Sequence, residues 1–155
     1  MFRCTPNALL FVILISFGFS SARAADTKDV QLEVWKSPSC GCCSKWVQYM
    51  TSHNYDVKPN DVTHGILAKI KMEAGIGPQL ASCHTAKIGG YVIEGHVPVE
   101  DINRLLKKRP DAIGLAVPGM PMGSPGMEYG NEREPYEVFL IKKDGTVEIY
   151  SRQAH

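Results

Sequence analysis

The run Cys40-Gly41-Cys42-Cys43 constrains the fold of this chain more than any other feature. It lies where one periodicity gives way to another. Gln31-Leu32-Glu33-Val34-Trp35 alternates polar and apolar residues as a half-buried strand does, and Ser37-Pro38-Ser39 then breaks the strand. Ser44 to Tyr49 has helical spacing, with Trp46, Val47 and Met50 on one stripe. A thiol at the start of a helix sits beside the positive end of the macrodipole and its free N–H groups. That favours the thiolate, the form that attacks disulfides and binds metals. By spacing, the run is a C-x-x-C pair, Cys40 and Cys43, with a third thiol, Cys42, set between them.

The first 24 residues read as a secretion signal. Arg3 supplies the positive region, Ala8 to Phe19 is an apolar run of about a dozen residues, and Ala22-Arg23-Ala24 has the small-x-small cleavage pattern. Cleavage is expected between Ala24 and Ala25, with the periplasm as destination; the run is short for a bilayer span. Cys4 leaves with the signal. Residues 25–155 are then one domain's worth of chain, large enough for a hydrophobic core. With Arg3 and Arg23 gone, the 17 basic residues become 15 against 16 acidic ones. That balance gives no electrostatic reason to expect nucleic acid, and no later apolar run predicts a membrane span.

Four cysteines remain in a chain bound for an oxidising compartment, where structural disulfides are the ordinary outcome. The spacing argues against two such bridges. Cys40, Cys42 and Cys43 fall within four residues, so at most one ordinary bridge can form among them, and tiny closed loops do little to staple a fold.

Tyr55 to Lys58 reads as a second strand and His64 to Ala74 as an amphipathic helix, with Ile66, Leu67, Ile70 and Met72 available for its apolar side. Thr85–Ile88 and Tyr91–Glu94 read as strands joined by a Gly89-Gly90 turn, and Val99 to Lys108 as a helix stopped by Pro110. A Gly- and Pro-rich loop is expected from about Ile113 to Pro135, and loops of that length are usually functional or disordered. Glu137–Ile141 and Thr146–Tyr150 around Asp144-Gly145 form a hairpin signal. The order β-α-β-α-β-β-α plus a C-terminal β-hairpin predicts an α/β domain with a central mixed sheet flanked by helices.

A strand leading into C-x-x-C at a helix start, followed later by a hairpin and a last helix, resembles the thioredoxin–glutaredoxin architecture. Thr85 to Gly95 is similar to the glutaredoxin hairpin, and aligning on it places His84 at the cis-proline position with Cys83 before it. That alignment brings a fourth thiol and an imidazole to the three-cysteine cluster. More specifically, the chain resembles the CopG-like family of exported copper-resistance proteins, with a thioredoxin-like fold and a C-x-C-C motif. The resemblance rests on Ser37 to Cys43, Ser82-Cys83-His84-Thr85, Gly89 to Pro98, Gly114 to Pro121 and Gly123 to Met127, and covers nearly all of residues 25–155. It implies copper at the cysteine cluster, several Cu(I) ions, and a Cu(I)/Cu(II) redox role. The implied partners are copper ions and another periplasmic copper protein or exporter.

Soft thiolates and thioethers favour Cu(I), while imidazole also suits Cu(II) and zinc. The expected ligands are Cys40, Cys42, Cys43 and Cys83, whose sulfurs can bridge more than one cuprous ion, with His84 and His96. Met120 and Met127 join them from the loop, where three thioethers (with Met122) fall within eight residues and off any amphipathic element. Met50 and Met72, on helices, read as core filler. The competing reading makes Cys40 the nucleophile and Cys43 the resolving thiol of a disulfide oxidoreductase, a scheme that leaves Cys42 without a role. A copper chaperone is the other alternative. Zinc is disfavoured, because structural zinc prefers two separated cysteine pairs.

Overall fold

The computed structural model describes Met1 and residues 30–153, so the expected signal and its cleavage site lie outside the described residues, as do Cys4 and His155. Seven strands and three helices follow one another: β1 (Leu32–Lys36), α1 (Gly41–Ser52), β2 (Val57–Asp61), α2 (His64–Glu73), β3 (His84–Ile88), β4 (Tyr91–Glu94), α3 (Val99–Lys108), β5 (Ala112–Ala116), β6 (Tyr136–Lys142) and β7 (Val147–Gln153). A short 3-10 turn, Pro78–Leu80, precedes β3. The strands form one mixed sheet in the order β2-β1-β3-β4-β5-β6-β7, with β1–β2 and β4–β5 parallel and the other pairs antiparallel. No helix among the described residues is long and apolar enough to cross a membrane.

Strand alternation divides the core. Val34, Ala86, Ile93, Leu115 and Leu140 point to the face covered by α1 and α3, where they meet Trp46, Met50, Ile102 and Leu105. Their neighbours Val92, Ala116 and Ile141 point to the opposite face and pack with Ile76 and Leu80. Trp46 is fully buried, and its indole N–H donates to the Val97 carbonyl at 3.1 Å, so this large ring leaves no unpaired polar atom. Helix α3 carries Glu100 and Asp101 in its first turn and Lys107 and Lys108 in its last, the charge order the helix dipole favours.

Three expectations need correction. The loop expected from Ile113 contains β5: Gly and Pro on either side mask the short apolar run Ala112–Ala116, which is held between β4 and β6. On α2 the apolar side is the buried Leu67 and the half-buried Ile70, while Ile66 and Met72 are 51% and 72% exposed, so Met72 is not core filler. The second strand is displaced to Val57–Asp61 because Tyr55 turns into the core and bonds Asn103 at 2.5 Å. Pro59 is tolerated there because β2 lies at the sheet edge.

The remainder of the expected loop, from Val117 onward, crosses the start of α1. Gly126 has φ +86°, and a Cβ there would lie 2.8 Å from both the Cys42 carbonyl oxygen and the Trp46 nitrogen. Gly126→Ala is therefore expected to cost roughly 1–3 kcal/mol in urea unfolding, from backbone strain and the lost seat on α1. Gly41→Ala, whose added Cβ meets nothing within 4 Å in a helical turn, should instead be neutral or gain up to about 1 kcal/mol.

Candidate metal centre

Two segments build the centre. The first is the turn from β1 into α1. Cys40 is the N-cap of α1, and its Sγ accepts from the Cys43 backbone N–H at 3.3 Å. Residues three apart at a helix start face the same side, and Cys40 and Cys43, with Cα atoms 5.3 Å apart, are joined by a disulfide. Cys42 and Cys83 are free and half-buried. The second segment is Ser82-Cys83, leading into β3. The antiparallel register sets His84 opposite Lys36 and so carries Cys83 to the motif. Cys42 Sγ lies 3.7 Å from Cys83 Sγ and 3.5 Å from Cys40 Sγ, with Met120 Sδ at 4.0 Å.

The expected ligands converge as two overlapping groups, Cys40/Cys42/Cys43/Cys83 and Cys83/His84/His96, with the donor atoms in each within 4.8 Å of one another. The departure from expectation is the disulfide. In this state Cys42 and Cys83 are the available thiols, and the sulfurs of Cys40 and Cys43 would be free to bind a metal only after reduction.

His96 follows Gly95 at the end of β4, and both of its ring nitrogens are occupied. Nδ1 lies 2.8 Å from the Pro125 carbonyl, which can only accept, so Nδ1 carries the proton. Nε2 therefore presents its lone pair to Cys83 Sγ at 3.0 Å, and the thiol donates to it. A carbonyl that fixes the tautomer and aims the other nitrogen is the usual preparation of a histidine ligand. The same bond ties the methionine loop to the site.

His84 is buried between two rings, Trp46 at 4.5 Å and His96 at 5.0 Å between centroids, the latter edge-on. Its Nδ1 is 3.4 Å from Cys83 Sγ, while Nε2 has no hydrogen-bond partner among the described residues. An orphaned buried nitrogen costs about 1–3 kcal/mol. Burial holds His84 well below the ordinary histidine pKa, with the charges of His96 and Lys71 adding to the effect. Burial lowers His96 too, against the Pro125 bond. The Cys83 thiol is pushed up to about 12, by burial first and then by Cys42. The metal-free site thus holds two neutral imidazoles and a protonated Cys83.

Met120, 52% exposed, meets the cluster with its sulfur at the open side. Met127 is half-buried and braces the loop through its backbone, donating to Ser124 O at 2.8 Å and accepting from Gly123 N at 3.0 Å. His53 and His64 are exposed, as their helical positions imply. Sequence reasoning missed Glu94 and Lys71, a buried pair with Nζ–Oε1 at 2.5 Å behind the site. The available signal was an acid closing the otherwise apolar run Tyr91-Val92-Ile93. Thiols, a thioether and an aimed imidazole lone pair together fit a soft ion such as Cu(I).

The two lowered histidines give a stability prediction with a definite sign. A group whose folded pKa is depressed contributes stability that is present above its unfolded value and lost as pH falls through the folded one. The metal-free protein should therefore lose thermal stability as the pH is lowered from about 7 to about 5. In His84→Asn/His96→Asn the loss over that window should shrink, as measured by the melting temperature at each pH.

Comparison with known proteins places this geometry. A family described as "Protein of unknown function, DUF411" matches residues 80–127, the stretch holding Cys83, His84, His96 and the methionine loop. No curated protein sequence matches the chain. Two solved structures, forms 1 and 2 of copper resistance protein copG, are similar at a TM-score of 0.75 and 34% identity, over 81% of this chain and 98% of that chain. With that identity spread over nearly the whole of those structures, and the cysteine cluster assembled, the chain belongs to the CopG-like family of copper resistance proteins.

Proposed function

We propose that this is an exported copper-handling protein. It holds Cu(I) across Cys40, Cys42, Cys43 and Cys83 once the Cys40–Cys43 disulfide is reduced, with His84, His96, Met120 and Met127 completing the donor set. One observation carries the reading: Cys42 Sγ and the lone pair of His96 Nε2 converge on Cys83 Sγ, at 3.7 and 3.0 Å. The copper-resistance relatives support it. Export to the periplasm rests on the signal read in residues 1–24. A thioredoxin-like frame is supported by the strand order β2-β1-β3-β4, with β1–β2 parallel and β1–β3 and β3–β4 antiparallel, and by the motif at the start of α1.

Cu(I)/Cu(II) cycling has a balanced chemistry available. Closing the Cys40–Cys43 disulfide releases two electrons and two protons, enough to reduce two Cu(II) ions to Cu(I). The disulfide also favours a second reading, a thiol–disulfide oxidoreductase with Cys40 as nucleophile. Another periplasmic copper protein or a copper exporter is the partner on the first reading, and a disulfide-bearing protein on the second.

Anaerobic Cu(I) titration of the fully reduced protein separates them. Several tightly bound ions, with at least one lost in Cys42→Ser, are expected of a polynuclear site. Weak binding, with full disulfide exchange in Cys42→Ser, would favour the oxidoreductase. Because the Cys83 proton must leave before copper binds, Cu(I) affinity should also rise with pH between about 6 and 8, roughly tenfold per unit for each proton displaced. Affinity that is flat across that range would contradict Cys83 as a ligand.

A further inference from the structure

Behind the centre, on the sheet face opposite α1, lies a polar network that reaches the expected donors at Cys83, whose Sγ is 3.9 Å from the Ser82 hydroxyl. Glu94 closes β4 and is fully buried. Its Oε1 accepts from Lys71 Nζ at 2.5 Å and from the Ser82 backbone N–H at 2.6 Å. Its Oε2 accepts from the Thr85 hydroxyl at 2.7 Å, and Lys71 Nζ also donates to that hydroxyl at 2.9 Å. Ser82 and Thr85 are the residues on either side of Cys83-His84, so one carboxylate grips both ends of the two-donor segment.

The position of that grip matters because the ladder does not supply one. Regular pairing of β3 begins at His84, leaving Ser82-Cys83 outside it, with an isolated bridge to Gly119 and the Ser82 hydroxyl's bond to the Gly119 carbonyl holding its outer side. Thr85 is the register partner of Glu94 across β3–β4, so both point to the rear face while His84 points to α1. Gly95, next in sequence, lets the backbone close on Ser82: with φ +74°, a Cβ there would lie 2.5 Å from the Ser82 side chain and from the Val117 carbonyl. A buried ion pair adds little stability over a well-packed apolar pair, so its main contribution here is to geometry. Helix α2 buries only Leu67, yet it directs Lys71 inward, the side chain 12% exposed.

We infer that Glu94, with Lys71 as its counter-charge, is the positioning residue of the Cys83–His84 half of the centre. From the rear face it fixes where Cys83 Sγ stands relative to Cys42 and His96. The inference rests on the copper reading for its functional consequence, but positioning of Cys83 can be read without copper.

The test compares Glu94→Gln with Val138→Ala, a core substitution two strands away in β6 that serves as a stability reference. Two quantities are measured: the alkylation rate of Cys83 in the metal-free disulfide form, located by peptide mass mapping, and the Cu(I) affinity of the reduced protein, by competition with a chromophoric Cu(I) chelator. In Glu94→Gln, Cys83 should alkylate several-fold faster and Cu(I) affinity should fall about 10- to 100-fold, as for other residues that orient metal ligands. Val138→Ala should show neither change. If the two variants behave alike in both measurements, Glu94 is a structural acid and the inference is overturned. If wild-type protein takes up no Cu(I) while Glu94→Gln still accelerates Cys83 alkylation, the copper reading fails and the positioning role stands. Should Glu94→Gln not fold, Glu94→Asp keeps the charge and shortens the reach by one methylene. It should show both changes at smaller size, and wild-type values in that variant would equally overturn the inference.

Discussion

The antiparallel register of β1 and β3 is the constraint on which the centre depends. It sets Lys36 opposite His84, and those two residues are the last of β1 and the first of β3. The chain leaving β1 becomes the cysteine turn, and the chain entering β3 has just passed Cys83, so the pairing joins sulfurs that are 41 residues apart. Because side chains alternate along a strand, a slip of one residue would turn His84 to the rear face and Thr85 toward Trp46. The apolar partners of β3, Ala86 and Ile88, would leave the α1 face in the same step, so core packing and donor geometry are fixed by one register.

That arrangement stores its cost in polar burial. Two imidazoles are kept neutral inside the core, one with an orphaned nitrogen, and Cys83 keeps its proton. Cys83 and His96 are groups that could give a thiolate or a lone pair to a soft cation. Around them the fixed contacts are short and redundant: Pro125 holds His96, the Ser82 hydroxyl donates to the Gly119 carbonyl at 2.5 Å, and Glu94 holds Ser82 and Thr85.

Much of this was legible in the sequence because it is written in local patterns. The polar–apolar alternation of β1, the helix after Cys40, the Gly89-Gly90 hairpin and the exact span of α3 all follow from short-range periodicity and turn chemistry. The nearness of Cys83 and His84 to the cysteine motif came from resemblance to a known hairpin, since nothing local relates residues so far apart. What stayed hidden depends on tertiary context. Strand β5 is only five residues long and flanked by turn formers, so its strand character comes from its neighbours. The exposure of Met72 and Ile66 reflects how lightly α2 sits on the sheet. Glu94 gave a faint signal, an acid in an apolar run, whose meaning appears only once Lys71, Ser82 and Thr85 surround it.

The donors are also graded by exposure, and the grading bears on how an ion would move if the copper reading holds. Met120 is open to solvent, Cys42 and Cys83 are half-buried, and His96 is enclosed, with successive gaps of 4.0, 3.7 and 3.0 Å. The outermost donor is a thioether, which needs no deprotonation and forms no disulfide. The thiols that must lose protons come next. Each step exchanges a neighbouring ligand, so a cuprous ion need never be free in water between the surface and His96. The Cys40–Cys43 bridge removes two sulfurs from the side of this line and leaves the line itself intact. On that reading, disulfide formation changes how many sulfurs the centre can offer an ion.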